Sequence, residues 1–116
     1  MPDSRLRDLL NGFQVSEALH AAAELGVPDA LARGSLSLEA LASATGTLSD
    51  PLGRLMRVLS DLDVVARDAD GRYRLTAMGE RMRPDVEGNW NAWTRTIGSP
   101  AIRQSWSRLS DAIRTG

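Results

Sequence analysis

The sequence predicts a mainly α-helical fold: a winged helix-turn-helix with one short β-hairpin wing, occupying residues 1–116 as a single domain. Three observations predict it. Two short helical segments, Leu38 to Thr45 and Asp50 to Leu62, are joined by a tight turn. Directly after them the apolar period falls from 3.6 to 2 around an Asp-Gly turn, which is the signature of a hairpin. On both sides, apolar residues recur at three- and four-residue spacing, as one face of a helix requires. With 42% hydrophobic residues in 116, the chain can bury an independent but modest core.

The elements follow in order. Asp3 or Ser4 is placed to cap a first helix whose apolar positions Leu6, Leu9, Leu10, Phe13 and Leu19 lead to a left-handed stop at Gly26. Pro28 opens a short second helix in its first turn, where a missing N–H costs nothing, and Gly34 closes it, with Ala30 and Leu31 facing inward. Ser37 caps Leu38 to Thr45, Glu39 sits at the positive end, and Gly46 terminates it. Asp50-Pro51 reads as a cap and first-turn proline for a helix whose face is Leu52, Leu55, Met56, Leu59 and Leu62. Val64 to Arg67 and Arg72 to Thr76 form the wing, and Thr76 can cap a helix over Ala77 to Met82 that Pro84 ends. The polar Gly/Pro-containing segment Arg83 to Asn89 is expected to be the most flexible stretch. Trp90, Trp93 and Ile97 then lie at helical spacing. After a Gly98-Ser99-Pro100 break, Ile102, Trp106, Leu109 and Ile113 trace one last amphipathic helix. Three parts result: residues 1–35, residues 37–76 with the helix-turn-helix and wing, and residues 77–116.

Fourteen basic residues, all arginine, face 15 acidic ones for a net charge of −1, so no long-range field draws the chain to nucleic acid or an anionic membrane. There is no cysteine, which removes disulfides, thiolate metal sites and a cysteine nucleophile. The charged N-terminus MPDSRLRDLL lacks the apolar run of a signal peptide or membrane span, and a cytoplasmic location is the expectation.

Catalytic machinery is not legible. The ten glycines never occur as Gly-x-Gly, and no strand, glycine loop and helix follow one another as a nucleotide-type cofactor requires. The single histidine, His20, cannot form a metal cluster and reads as a packing residue in preference to a pocket hydrogen bonder. Asp61, Asp63, Asp68 and Asp70 fall at a helix end and a hairpin turn, where aspartate serves backbone hydrogen bonds, so no metal site is expected. Trp90, Trp93 and Trp106 crowd the last 27 residues of a chain with only 4% aromatics. They serve core or dimer packing, or they wall a pocket for a flat aromatic ligand. Arg103, one turn before Trp106, faces either a substrate carboxylate or solvent, the latter being the simpler reading.

A winged helix also suggests a DNA-binding transcription regulator, with Arg54 and Arg57 as readers and Arg67, Arg72 and Arg74 beside the wing. Against it, Asp50, Asp61, Asp63, Asp68 and Asp70 interleave with those arginines, and the reading helix spends most positions on Leu, Met and Val.

The order and spacing of several segments carry a resemblance. They are Gly12-Phe13 to Ala18-Leu19-His20, Glu24-Leu25-Gly26-Val27-Pro28-Asp29-Ala30-Leu31-Ala32, and Leu38-Glu39-Ala40-Leu41-Ala42 with Thr45-Gly46. Leu55-Met56-Arg57-Val58-Leu59, Arg72-Tyr73-Arg74-Leu75-Thr76 with Gly79, Trp106 with Leu109, and Ile113-Arg114-Thr115-Gly116 complete it. Together they resemble the N-terminal dimerisation domain of bacterial S-adenosylmethionine-dependent O-methyltransferases that tailor aromatic polyketides and antibiotics, which are similar to caffeate and hydroxyindole O-methyltransferases. Asp63 departs from the family's usual glycine, but aspartate tolerates the left-handed conformation. The resemblance implies a homodimer, with Leu6, Leu9, Leu10 and Phe13 suited to the interface, and a domain that caps the substrate pocket of a following catalytic domain. On that reading Trp90, Trp93, Arg103 and Trp106 are the candidate substrate contacts. S-adenosylmethionine would be bound by the parent enzyme and not by this chain. The parent would methylate its acceptor, or decarboxylate or hydroxylate it as diverged relatives do.

Overall fold

A computed structural model describes all of residues 1–116 as nine helices and one antiparallel strand pair. In order these are α1 (Pro2–Leu10), α2 (Gly12–Leu25), α3 (Val27–Leu31), α4 (Leu38–Thr45), α5 (Ser49–Asp61), β1 (Val65–Arg67), β2 (Tyr73–Leu75), α6 (Ala77–Glu80), α7 (Asn91–Ile97), α8 (Pro100–Ser107) and α9 (Leu109–Thr115).

The helix-turn-helix and wing form as the sequence pattern requires. Ser37 Oγ accepts the Ala40 amide at 3.1 Å, and Gly46 ends α4 in the left-handed region at φ 65°. One face of α5, Leu52, Met56 and Leu59, is buried against Leu41 and Ala42 of α4, Val27 and Leu31 of α3, and Val64, Val65, Tyr73 and Leu75 of the wing. The strands pair Val65 with Leu75 and Arg67 with Tyr73. Leu36 adds a bridge on the outer side, exchanging two backbone hydrogen bonds with Tyr73 at 3.0 and 2.8 Å. Asp63 holds φ 61°, the left-handed turn that lets the chain leave α5 for the wing.

Several boundaries differ from the sequence expectation, each for a local reason. The first long helix is broken at Asn11 (φ −93°, ψ 5°), because Asn-Gly is a turn dipeptide with poor helix propensity. Neither Asp3 nor Ser4 caps α1: with Pro2 in its first turn, the helix starts upstream of both. Asp50 likewise is not the cap of α5, which begins at Ser49 after an extended Leu48, so Asp50 lies in the first turn facing the helix dipole. The final helix divides at Arg108 (φ −102°, ψ 13°), where Ser105 and Ser107 hydroxyls donate back to the carbonyls of Ala101 and Gln104 and compete with the regular ladder. α6 ends at Glu80, two residues early.

The segment expected to be flexible is instead tied down. Arg83 bridges Glu80 at 2.8 Å and Asp85 at 2.7 Å, Arg81 donates to the carbonyls of Glu87 and Gly88, and Asn89 Nδ2 donates to those of Pro84 and Val86. Hydrogen bonding by Arg83 holds the Asp85 carboxyl below the usual aspartate range against some desolvation, and Asp85 followed by Glu80 pushes the Arg83 guanidinium above its own.

The core stops short of the two ends. No residue of α1, α8 or α9 is buried. The radius of gyration, 16.2 Å, exceeds the roughly 13 Å of a compact chain of this length. Those helices project from the folded centre.

Three outcomes follow, one each for the core, the start of α2 and the latched segment. A methyl group at Gly79 would overlap the Val64 carbonyl oxygen, so Gly79→Ala should cost about 1–3 kcal/mol in thermal denaturation. Gly12→Ala, with nothing within 4 Å of the added carbon, should leave stability unchanged or raised. Asp85 has its pKa lowered by folding, so its contribution is complete above the ordinary aspartate value and is lost as pH falls through the depressed one. Protection of the amides at residues 86–90, measured against their intrinsic exchange rates at each pH, should fall on that acidification, and Asp85→Asn should give the lower protection at every pH.

Candidate functional site

The cleft that gathers the aromatic and charged candidates is built by α2, α7 and α8. Ala22 and Ala23 bury one side of α2, and α7 packs along it. Where the two helices meet, the His20 ring rests on the bare backbone of Gly98, and any Cβ there would overlap the ring. His20 Nε2 stands 3.6 Å from Glu24 Oε2, beyond hydrogen-bond range. His20 is therefore a packing residue that lets α7 end against α2. Ser99 and Pro100 then start α8, which returns across the open end of the helix pair.

Three pairs at helical spacing face the space so formed: Phe13 with Glu17 on α2, Trp93 with Ile97 on α7, and Arg103 with Trp106 on α8. The cleft holds about 700 Å³, within the range of small-molecule sites. Its walls are flat rings, and its charges are one cation and one anion: Arg103 Nε lies 3.0 Å from Glu17 Oε1. Trp93 and Trp106 remain 59% and 69% exposed, so their faces are free to stack.

Trp93, Arg103 and Trp106 are thus brought together, but Trp90 is not among them. It covers a separate apolar groove with Val15, Leu19, Met78 and Met82, held there by its amide donating to the Arg81 carbonyl at 2.9 Å. Of the four residues assigned to pairing, Leu6, Leu9 and Leu10 stand exposed on α1, whereas Phe13 opens α2 and faces the cleft. Glu17 and Ile97 were missed. Their spacing from Phe13 and Trp93 was visible, but only the packing of α2 on α7 puts the two faces opposite each other.

A second arginine-bearing surface lies between α5 and the wing. Arg54, Arg57 and Arg67 share it with Asp50 and Asp61. Arg67 sits 5.3 Å over the Tyr73 ring and donates to the Gly71 carbonyl, so it is held on the wing. Asp68 Oδ1 accepts the amides of Asp70 and Arg72 at 3.0 and 2.9 Å, the turn role expected of it. The only sheet is the antiparallel wing, which offers no strand end leading through a glycine loop to a helix. No helix is long and apolar enough to cross a membrane.

Comparison with known proteins gives these shapes a context. The family described as the O-methyltransferase dimerisation domain matches residues 7–84. The chain is 39% identical over 113 residues to a 3-amino-4-hydroxybenzoate 4-O-methyltransferase of Streptomyces cremeus, covering 97% of this chain and 31% of that protein. It is 35% identical over 114 residues to an O-demethylpuromycin-O-methyltransferase of Streptomyces alboniger, covering 97% and 30%. Among solved structures it superposes on N,N-8-amino-8-demethyl-D-riboflavin dimethyltransferase of Streptomyces davawensis with a TM-score of 0.92 at 28% identity, covering 100% of this chain and 35% of that one. Human N-acetylserotonin methyltransferase in complex with S-adenosylmethionine gives 0.90 at 29%, covering 99% and 35%. The chain spans about a third of the length of the relatives it matches. These similarities favour the methyltransferase reading over the DNA-binding regulator.

The His20 and Gly98 contact sets the cleft, so Gly98→Ala should separate α7 from α2. The expected result is a loss of about 1–3 kcal/mol in stability, with displaced indole resonances of Trp93 and Trp106.

Proposed function

The chain belongs to the O-methyltransferase dimerisation domain family, and from that premise we propose that it pairs with a second copy of itself and walls the acceptor pocket of an O-methyltransferase. The observation that carries the proposal is the uncovered apolar face of α1. Leu6, Leu9 and Leu10 are 55%, 64% and 66% exposed, and no residue of that helix is buried. Full burial of one such side chain is worth about 1.5–3 kcal/mol. A nine-residue helix is too short to persist in water on its own propensity, so a partner surface accounts for it.

The aromatic cleft supports the second half. Phe13, Trp93 and Trp106 suit a flat aromatic acceptor such as the hydroxybenzoate named for the Streptomyces cremeus relative. The methyl donor, S-adenosylmethionine, would be held by other parts of the enzyme, a reading supported by the two-stranded wing, which offers no glycine loop leading from a strand to a helix. The parent protein on this reading is a cytoplasmic enzyme of natural-product tailoring, and its acceptor is a hydroxylated aromatic compound. Methyl transfer is the reaction the comparisons favour over the decarboxylation or hydroxylation of diverged relatives.

Light scattering coupled to size exclusion tests the pairing. The chain should elute at twice its monomer mass, and added duplex DNA should not shift it at low or moderate salt. Leu9→Asp combined with Leu10→Asp should give a monomer that loses the helicity of α1 alone and keeps the cooperative unfolding of the core, because neither side chain contributes to that core. A wild-type monomer at high concentration, or salt-sensitive DNA binding with sequence preference, would overturn the reading.

A further inference from the structure

We infer that the cleft selects aromatic ligands that carry a carboxylate, with Arg103 as the anchor and Glu17 as the group that orients and tempers it. The inference rests on the reading of the cleft as an acceptor wall and names the class of acceptor.

Five of the nine residues lining the cleft are apolar, and the charged ones are Glu17 and Arg103 alone. The two meet through one edge of the guanidinium, Nε against Oε1 at 3.0 Å. A guanidinium carries five N–H donors in a rigid planar fork, more than that single contact satisfies. The opposite edge is the part suited to a planar, two-oxygen acceptor. Arg103 rises from α8 one turn before Trp106, so a ring stacked on that indole would bring a ring substituent within reach of the fork. Ser16 and Thr96 are the other polar side chains on the wall. The Thr96 hydroxyl is committed to the Ala92 carbonyl at 2.8 Å, which leaves Arg103 as the strongest donor in the cleft.

Glu17 bears on the same equilibrium with the opposite sign. Its carboxylate holds Arg103 toward α2 but also competes with an incoming anion. Gln at this position keeps a carbonyl oxygen for Nε while removing the negative charge. Glu17→Gln should therefore strengthen binding of a carboxylate, and a residue that merely braced α8 would not.

The three tryptophans make the test internal, because Trp93 and Trp106 line the cleft while Trp90 covers a different groove. Titration of the ¹⁵N-labelled chain with 4-hydroxybenzoate and with the neutral 4-hydroxybenzamide, read from the indole N–H resonances, separates ring stacking from charge recognition. The expected result is movement of the Trp93 and Trp106 signals with both probes, Trp90 unmoved, and a preference for the benzoate of roughly three- to ten-fold, the scale of a partly exposed charge-assisted contact. Arg103→Gln should abolish the preference while the benzamide still binds. Arg103→Lys should retain part of it, and Glu17→Gln should raise benzoate affinity at least about two-fold. An unmoved Trp90 signal in each variant reports an intact fold. Equal affinity for both probes, unchanged by Arg103→Gln, overturns the carboxylate inference and leaves the aromatic cleft standing. Silence of Trp93 and Trp106 with both probes overturns the cleft reading itself.

Discussion

The knot at the base of the wing is the contact on which the rest of the chain's course depends. The Thr76 amide donates to the Val64 carbonyl at 3.1 Å, and its hydroxyl is shared between the carbonyls of Asp63 at 2.6 Å and Val64 at 3.0 Å. The same oxygen accepts the Gly79 amide at 3.1 Å, starting α6. One side chain so closes the strand pair, caps a helix and ties both to the end of α5. Gly79 is required because its missing Cβ leaves room for the Val64 carbonyl. From this point the chain is directed through the latched 83–89 segment, along α7 and back onto α2, which creates the cleft.

Around that knot the molecule divides by what its surfaces are made for. The centre is a closed core of 14 buried apolar residues contributed by the helices from α2 to α5, the wing and Met82. The ends, α1 at one terminus and α8 with α9 at the other, carry Leu6, Leu9, Leu10, Trp106, Leu109 and Ile113 in exposed positions. Large apolar side chains concentrated on projecting helices are what the proposed pairing would cover. The winged helix in the middle keeps the outline of a DNA-binding module without its charge: arginines and aspartates alternate in the groove between α5 and the wing, and Arg67 is occupied by Tyr73 and Gly71. Shape is shared across functions, and charge and surface chemistry decide among them.

The sequence by itself determined the elements whose causes are local. Ser37, Gly46 and Thr76 act as caps or stops where a side-chain oxygen or a left-handed glycine is needed, the α5 face follows from a 3.6 period, and the wing follows from a change of period around Asp-Gly. Asp63 at positive φ belongs here too, since its tolerance of that conformation is a property of the residue. The breaks at Asn11 and Arg108 were also written locally, in an Asn-Gly pair and in serines that turn back on the helix, but apolar periodicity running through them concealed both. What only the tertiary structure decided are relations between distant faces. Trp90 and Trp93 are three residues apart yet serve different grooves, because Trp90 stands before α7 (φ −105°, ψ 10°) with its amide held by the Arg81 carbonyl, while Trp93 lies within the helix and takes its direction from it. Phe13 and Glu17 join Trp93, Arg103 and Trp106 only because His20 finds a glycine at 98 to rest on. Periodicity states which face of a helix is apolar. Which other face it meets depends on close approaches between residues nearly eighty positions apart, and no local pattern encodes these.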